Sequence, residues 1–139
     1  MKFGPMPALA ILIGLNLGCG EKSKFPETVP VSGKVTYLGQ PVAKGTVSFL
    51  SDKGQPATGA IQPDGTYQLS TFGEKDGATP GHHKVMIIAN DGDPTLMPGS
   101  SPGYKLPKDL VPKKYGAMAT SGLEAEVSKD KPTIDFDLK

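Results

Sequence analysis

The only thiol of this 139-residue chain is Cys19, and its neighbours favour covalent modification over a disulfide. Residues 7–18 before it are nearly all apolar, and Lys2 is the single positive charge that precedes them. The apolar core of an export signal needs about 7–15 residues, whereas a bilayer-spanning helix needs roughly 20. A thiol placed directly after such a run is well placed for acylation at a processed N-terminus. We therefore predict that Cys19 carries lipid.

Residues 1–18 resemble a bacterial lipoprotein signal peptide, in which a small residue, here Gly18, precedes the acylated cysteine. The resemblance implies cleavage before Cys19 and a cell-envelope location on the extracytoplasmic side, facing the periplasm or on the outer membrane. One acyl chain holds a protein only marginally and each buried methylene adds about 0.8 kcal/mol, so two or three chains would anchor it. The alternative is an ordinary secretory signal in which Cys19 is incidental.

The two histidines, His82 and His83, are the remaining candidates for chemistry. They are adjacent at the predicted start of a strand, so their side chains should point to opposite faces. Metal sites usually show clustered ligands, and no such spacing surrounds this pair. We expect no catalytic residue, no metal and no cofactor, and we interpret the histidines as residues at the edge of a turn.

Composition limits the classes of function. All 15 basic residues are Lys, and Arg, the usual bidentate reader of phosphate and guanine, is absent. We therefore expect no nucleic-acid partner. Removal of residues 1–18 leaves 139 − 18 = 121 residues, enough for one domain with one core. Without a second cysteine, that core must be held by apolar packing.

Short alternating segments separated by turn residues predict the fold. Residues 19–30 are polar or helix-breaking and predict a flexible tether. From Val31 onward, runs such as 31–37, 46–50 and 134–138 alternate apolar and polar residues, and Pro63-Asp64-Gly65 between two of them predicts a hairpin. About seven such runs predict an all-β domain over 31–139, a single antiparallel β-sandwich of the Greek-key type.

Several of these segments resemble carboxypeptidase-regulatory-like domains, which belong to the transthyretin-like, prealbumin-type sandwiches. The resemblance lies in Val31-Ser32-Gly33-Lys34-Val35, Gly39-Gln40-Pro41-Val42 and Pro63-Asp64-Gly65-Thr66-Tyr67. It implies a small lipoprotein with a sandwich domain and supplies no chemistry. The hydroxyisourate hydrolases of the same group use an arginine and a C-terminal Tyr-Arg-Gly-Ser-type segment, and this chain has neither.

The segment 90–122 is long for a loop in a compact domain, and such loops are usually functional or disordered. One interpretation is a surface excursion with too little apolar area to fold. The other is a flap that presents tyrosines and lysines to a partner. The candidate binding residues are Tyr104, Lys113, Lys114 and Tyr115, because tyrosine gives a large contact area and lysine attracts anionic surfaces.

Two functions remain open. The first is a non-enzymatic, membrane-anchored module that contacts an envelope protein or glycan through its edge strands or through segment 90–122; a plain spacer is not separable from it. The second is a domain that binds a small ligand or carbohydrate, or hydrolyses a ligand, with its site between loop 90–122 and the sheet. If Tyr67, Tyr104 and Tyr115 line one concave site, carbohydrate binding is favoured, and scattered tyrosines favour an interaction module.

Overall fold

The computed structural model describes Gly4 and residues 24–139. Within these residues the regular elements are eight strands and two short helical turns. The predicted signal segment 1–18, Cys19 and the start of the predicted tether lie outside the described residues, apart from Gly4. Among the described residues, no helix is long and apolar enough to cross a membrane. The strands are β1 (Ser32–Tyr37), β2 (Gln40–Pro41), β3 (Gly45–Ser51), β4 (Pro56–Ile61), β5 (Thr66–Gln68), β6 (Gly81–Ile88), β7 (Leu123–Val127) and β8 (Phe136–Leu138), and the helical turns are a 3-10 helix (Lys113–Gly116) and α1 (Met118–Ser121).

The strands form two four-stranded sheets, which confirms the predicted all-β sandwich. In the first sheet, β1 pairs antiparallel with β5 and β2 and parallel with β8. In the second, the order is β4-β3-β6-β7 and every pair is antiparallel. The strand that the count of seven omits is β2, because its two residues lie within the segment that the sequence indicates as a turn.

The core lies between the sheets and follows the alternation of the sequence. Val47 and Phe49 of β3 and Phe136 of β8 are buried, as the pattern predicts. The rings of Phe49, Tyr67 and Phe136 form one cluster with centroids 5.9–6.4 Å apart. Aromatic pairs at such distances contribute beyond their buried area, so this cluster is the centre of the apolar packing.

The turn Pro63-Asp64-Gly65 forms, but its two strands belong to different sheets. Backbone hydrogen bonds from Gln62 N to Thr66 O and from Gly65 N to Gln62 O close the turn. Each strand then joins its own sheet, β4 with β3 and β5 with β1, but the two stay in contact through one antiparallel bridge between Thr58 and Ser70, with backbone hydrogen bonds of 3.0 and 2.8 Å. The predicted hairpin is therefore paired only at its turn and at this bridge, and it forms a corner between the sheets.

The predicted tether is shorter than 19–30, because its last residues belong to the domain. Val29 is buried and exchanges two backbone hydrogen bonds with Ala78, of 2.8 and 3.0 Å. The carboxylate of Glu27 pairs with the ammonium of Lys129. The ring of Phe25 stacks on that of Phe72, with centroids 4.7 Å apart. The chain is thus in contact with the sandwich from residue 25 onward.

The connections between strands gather at two ends of the sandwich. At the end we call the lower end, the chain enters through 24–31 and the loops 51–55, 69–80 and 128–132 turn back. The opposite, upper end carries the connections 38–44, 62–65 and 89–122. Strands β1, β4, β6 and β8 run from the lower end to the upper end, so any groove along these strands connects the two.

Candidate functional site

A groove of about 1110 Å³ crosses the outer surface where β4 and β5 meet at the corner between the sheets. Its walls are mainly the outward-facing residues of β1, β3, β4 and β5, completed by the segment 133–135 and the loop after β5. The lining residues are Ser32, Gly33, Lys34, Thr46, Thr58, Gly59, Ala60, Gln62, Thr66, Tyr67, Gln68, Ser70, Glu74, Lys75, Thr133 and Asp135.

Strand alternation explains why this surface is polar. Inward positions of β4 are the small or apolar residues Ala57, Gly59 and Ile61, and outward positions include Thr58 and Ala60. Gly59 also sets the spacing at the corner, since a Cβ on it would lie 2.4 Å from the carbonyl oxygen of Gln68. The absence of a side chain there lets β4 and β5 approach closely beneath the groove.

Many polar groups of the groove have no partner within the described residues. Within the described residues, no side-chain hydrogen bond is made by Thr46, Thr58, Gln62, Gln68 or Thr133. No ion pair with another described residue is made by the charged groups of Lys34, Glu74 and Lys75. Hydroxyl and amide groups of this kind can both donate and accept hydrogen bonds. The groove therefore presents a set of unengaged donors and acceptors to whatever occupies it.

The charges of the groove balance. Lys34 and Lys75 contribute two positive charges, and Glu74 and Asp135 contribute two negative ones. The carboxylate of Asp135 accepts a hydrogen bond from the backbone N–H of Lys34, at 2.8 Å. Without a net charge, the groove does not attract polyanions or polycations over a distance, and its selectivity rests on local hydrogen bonds.

Tyr67 contacts the groove from the core side. Its side chain extends past Gly33 of β1, and its hydroxyl donates a hydrogen bond to the carbonyl oxygen of Ile134. Burial, and then the charge of Asp135, raises the pKa of this hydroxyl far above its ordinary value, so it stays a neutral donor. Gly33 makes room for the ring, because a Cβ on it would lie 2.9 Å from a ring carbon of Tyr67.

Loop 90–122 is partly built into the fold. Val111 and Ser121 are buried, and the Ser121 hydroxyl donates to the carbonyl oxygen of Val85 on β6. The backbone N–H of Leu110 donates to the carbonyl oxygen of Ala89, at 2.9 Å. The expectation of a surface excursion without apolar packing is therefore wrong for residues 110–122, since the 3-10 helix and α1 cover β6.

Tyr115 is a core residue, so its ring is not presented to a partner as the sequence predicts. It is 6% exposed, and its hydroxyl donates to the carbonyl oxygen of Lys139 and accepts from the N–H of the same residue. The ammonium of Lys114 lies 4.9 Å from the centre of its ring, and Lys113 is exposed and 3.8 Å from the carboxylate of Asp109. Tyr104 is half-buried. None of these four candidates lines the groove.

The three tyrosines considered as a carbohydrate platform are separated. Tyr67 and Tyr115 are both buried. Only Tyr67 of the three tyrosines lines the groove, and it does so from the core side of the sheet. No aromatic ring is therefore offered face-on to a sugar in this groove. The concave site lined by all three tyrosines, on which the prediction of carbohydrate binding depends, is therefore not formed.

The histidines point to opposite faces of β6, as predicted, but the interpretation of both as residues at the edge of a turn is wrong for His83, which is a buried residue within the strand. His83 is fully buried beside Phe49, and its Nε2 lies 2.7 Å from the carbonyl oxygen of Thr79, while its Nδ1 has no partner among the described residues. His82 lies outside, with Nδ1 3.1 Å from Asp52 and Nε2 3.4 Å from Glu124. Hydrogen bonds to Asp52, and next to Glu124, raise the pKa of His82 above its ordinary value.

Both nitrogens of His82 are directed at carboxylates on opposite sides of the ring, which is an ion-pair arrangement. Among residues 24–139 and Gly4, no group of three or more His, Cys, Asp or Glu side chains is placed to hold a metal ion.

The groove, with its unengaged polar side chains, is the strongest candidate for a functional surface in the described part of the chain.

Comparison of the chain with protein-family models, with curated proteins and with solved structures found no match in any of the three. The resemblance to carboxypeptidase-regulatory-like domains therefore rests on the short segments quoted above.

Proposed function

We propose that this protein is a non-enzymatic binding module of the bacterial cell envelope. Lipid on Cys19 holds it to a membrane on the extracytoplasmic side, and a carboxypeptidase-regulatory-like sandwich presents the groove to another envelope component. The anchor is supported by the position of Cys19 directly after the apolar run 7–18. The binding role is carried by one observation, the set of unengaged polar groups in the groove.

The structure of the groove limits how a partner is recognised. Its central strands β1 and β3 are paired along both edges, so their backbone N–H and C=O groups are largely engaged within the sheets. The other two strands of the groove, β4 and β5, are edge strands, but their edges face each other and share backbone hydrogen bonds between Thr58 and Ser70. The groove therefore does not offer the long open edge along which a partner strand adds. Recognition must run through the hydroxyl, amide and balanced charged side chains. A partner protein or glycan with matching hydrogen-bonding groups fits this requirement.

The anchor is tested by the intact mass of the protein purified from its native membrane fraction, before and after alkaline deacylation. We expect the mass of residues 19–139 plus a diacylglyceryl group, with or without an N-acyl chain, and loss of ester-linked chains after alkali. A Cys19→Ser variant should leave the membrane fraction. An unmodified mass would rule out the anchor and indicate a free secreted domain.

The groove is tested by photo-crosslinking in intact cells, with benzoylphenylalanine in place of Thr58 at the centre of the groove. Lys84, on the exposed face of β6 and outside the groove, is the matched control position. We expect a discrete adduct from position 58 alone. Its size after glycosidase or protease digestion then separates a glycan from a protein partner. Equal labelling from both positions would refute a role for the groove.

A further inference from the structure

The lower end of the sandwich carries an aromatic pair outside the core cluster, in which Phe25 is exposed and Phe72 is half-buried. Phe25 and Phe72 stack with an angle of 20° between their rings, and Phe25 is 57% exposed. Phe25 enters from the N-terminal segment, and Phe72 belongs to the loop 69–80. Large apolar side chains left in contact with water are informative when they are grouped and held in place.

Phe72 is presented by a loop that its own hydrogen bonds make rigid. The carboxylate of Asp76 accepts from the backbone N–H groups of Thr71, Phe72 and Gly73, at 2.7, 2.9 and 2.9 Å. Burial acts to raise the pKa of Asp76, but these bonds outweigh it and hold the pKa below its ordinary value. The aromatic pair is therefore a preformed feature and needs no rearrangement to meet a partner.

A second apolar feature opens at the same end. A cleft of about 260 Å³ is lined by Thr28, Val29, Pro30, Lys129 and Pro132. Three of these residues are apolar, and they belong to the segment by which the chain enters the sandwich and to the loop that precedes β8. The lower end thus combines an aromatic pair with a small apolar cleft.

Chain length places this end next to the anchor. Six residue steps separate Cys19 from Phe25, and a fully extended chain spans at most about 3.3–3.6 Å per residue, so the two are no more than about 20 Å apart. The seven residue steps along β6 carry the upper end about 23 Å further away along the strand direction. Because residues from Phe25 onward are already packed on the sandwich, little chain remains to lift the domain off the membrane.

We infer that the lower end docks on the membrane that holds the lipid, with the stacked Phe25 and Phe72 rings inserted among the lipid headgroups. This inference rests on the proposed lipid at Cys19. Aromatic side chains are favourable at the boundary between headgroups and acyl chains. With the lower end docked, the groove runs away from the bilayer and opens toward components further out.

The charges at the lower end indicate that the aromatic pair, and not electrostatics, drives docking. The segments 24–31, 51–55, 69–80 and 128–132 hold five lysines and five carboxylates. A balanced surface gains little from anionic lipids, unlike a polybasic patch. Docking should therefore be equal on neutral and anionic vesicles and insensitive to salt.

The test uses the full lipidated protein, purified from membranes and reconstituted in phosphatidylcholine vesicles. A fluorophore on a Gly73→Cys thiol reports on the Phe72 loop, and one on Ala43→Cys reports on the upper end. Gly73 accepts a Cβ, since its nearest neighbour would lie 3.9 Å away. Nitroxide lipids measure contact with the bilayer, and iodide measures contact with water.

We expect the Gly73→Cys label to be quenched by the nitroxide lipids and several-fold less accessible to iodide than the Ala43→Cys label. Addition of Phe72→Ser should remove this difference. Equal accessibility of the two labels, unchanged shielding in the Phe72→Ser variant, or loss of shielding in high salt would each overturn the docking. The intact mass of the same sample separates the two ideas: a lipidated protein with an iodide-accessible label refutes docking alone, and an unlipidated mass refutes docking together with the anchor.

Discussion

Replacement of Gly59 by Ala tests how tightly β4 and β5 pack at the corner between the sheets. The new Cβ would lie 2.4 Å from the carbonyl oxygen of Gln68, about 1 Å inside ordinary van der Waals contact. Because the obstacle is backbone, β4 or β5 must move. Overpacking of this kind costs about 1–3 kcal/mol. The lower entropy of an unfolded chain with Ala in place of Gly offsets about 0.4–1 kcal/mol.

The middle of these ranges gives a net loss for Gly59→Ala of about 1 kcal/mol, which lowers Tm by about 4–8 °C for a small domain. Urea denaturation followed by far-UV circular dichroism measures it, since the chain has no Trp. Gly73→Ala is the matched control, because its Cβ meets only a side-chain atom at 3.9 Å. It should be neutral or slightly stabilising. A Gly59→Ala protein as stable as this control would show that the corner is looser than described.

Three further predictions concern the core, the loop and the outer face. Phe136→Ala should lose about 3–5 kcal/mol in urea denaturation, because it removes one ring of the central cluster; full stability would mean that β8 is not packed as described. Tyr115→Phe should lose about 0.5–1.5 kcal/mol by the same assay, because it removes the hydroxyl bonds to Lys139, and an unchanged midpoint would contradict their contribution. NMR titration should give His82 a pKa above 6.5 that falls toward 6.5 in Glu124→Gln. Since the folded pKa is raised, its contribution to stability should be complete below pH 6.5 and disappear as the pH rises through the folded pKa; a pKa that ignores the substitution would refute the pairing.

The features that could be predicted from the sequence are those with a local signal. Alternation along a strand assigns Val47, Phe49 and Phe136 to the core without knowledge of their partners, because strand side chains have a period of two. The same signal places His82 and His83 on opposite faces. The turn at Pro63-Asp64-Gly65 is equally local, and it forms.

The features that were missed depend on which strands become neighbours. The residues near 58–68 do not indicate that β4 and β5 enter different sheets. The pairing partner of β5 is β1, which lies about 30 residues earlier in the chain. The groove has the same origin, because its polar residues gather only after the two sheets meet. The burial of Tyr115 could not be predicted, because a tyrosine that follows two lysines gives no local sign that its ring packs on the core and its hydroxyl reaches Lys139.

The parallel pairing of β1 with β8 has a consequence for the order of folding. Lys34 and Asp135, joined across this pair, are 101 residues apart in sequence. Contacts of such high sequence separation slow folding, because the chain must close a long loop before they form. A polypeptide that emerges from a ribosome or a translocation pore with its N-terminus first cannot complete its first sheet until nearly all of it is through. The first sheet is therefore completed last, when β8 arrives beside β1.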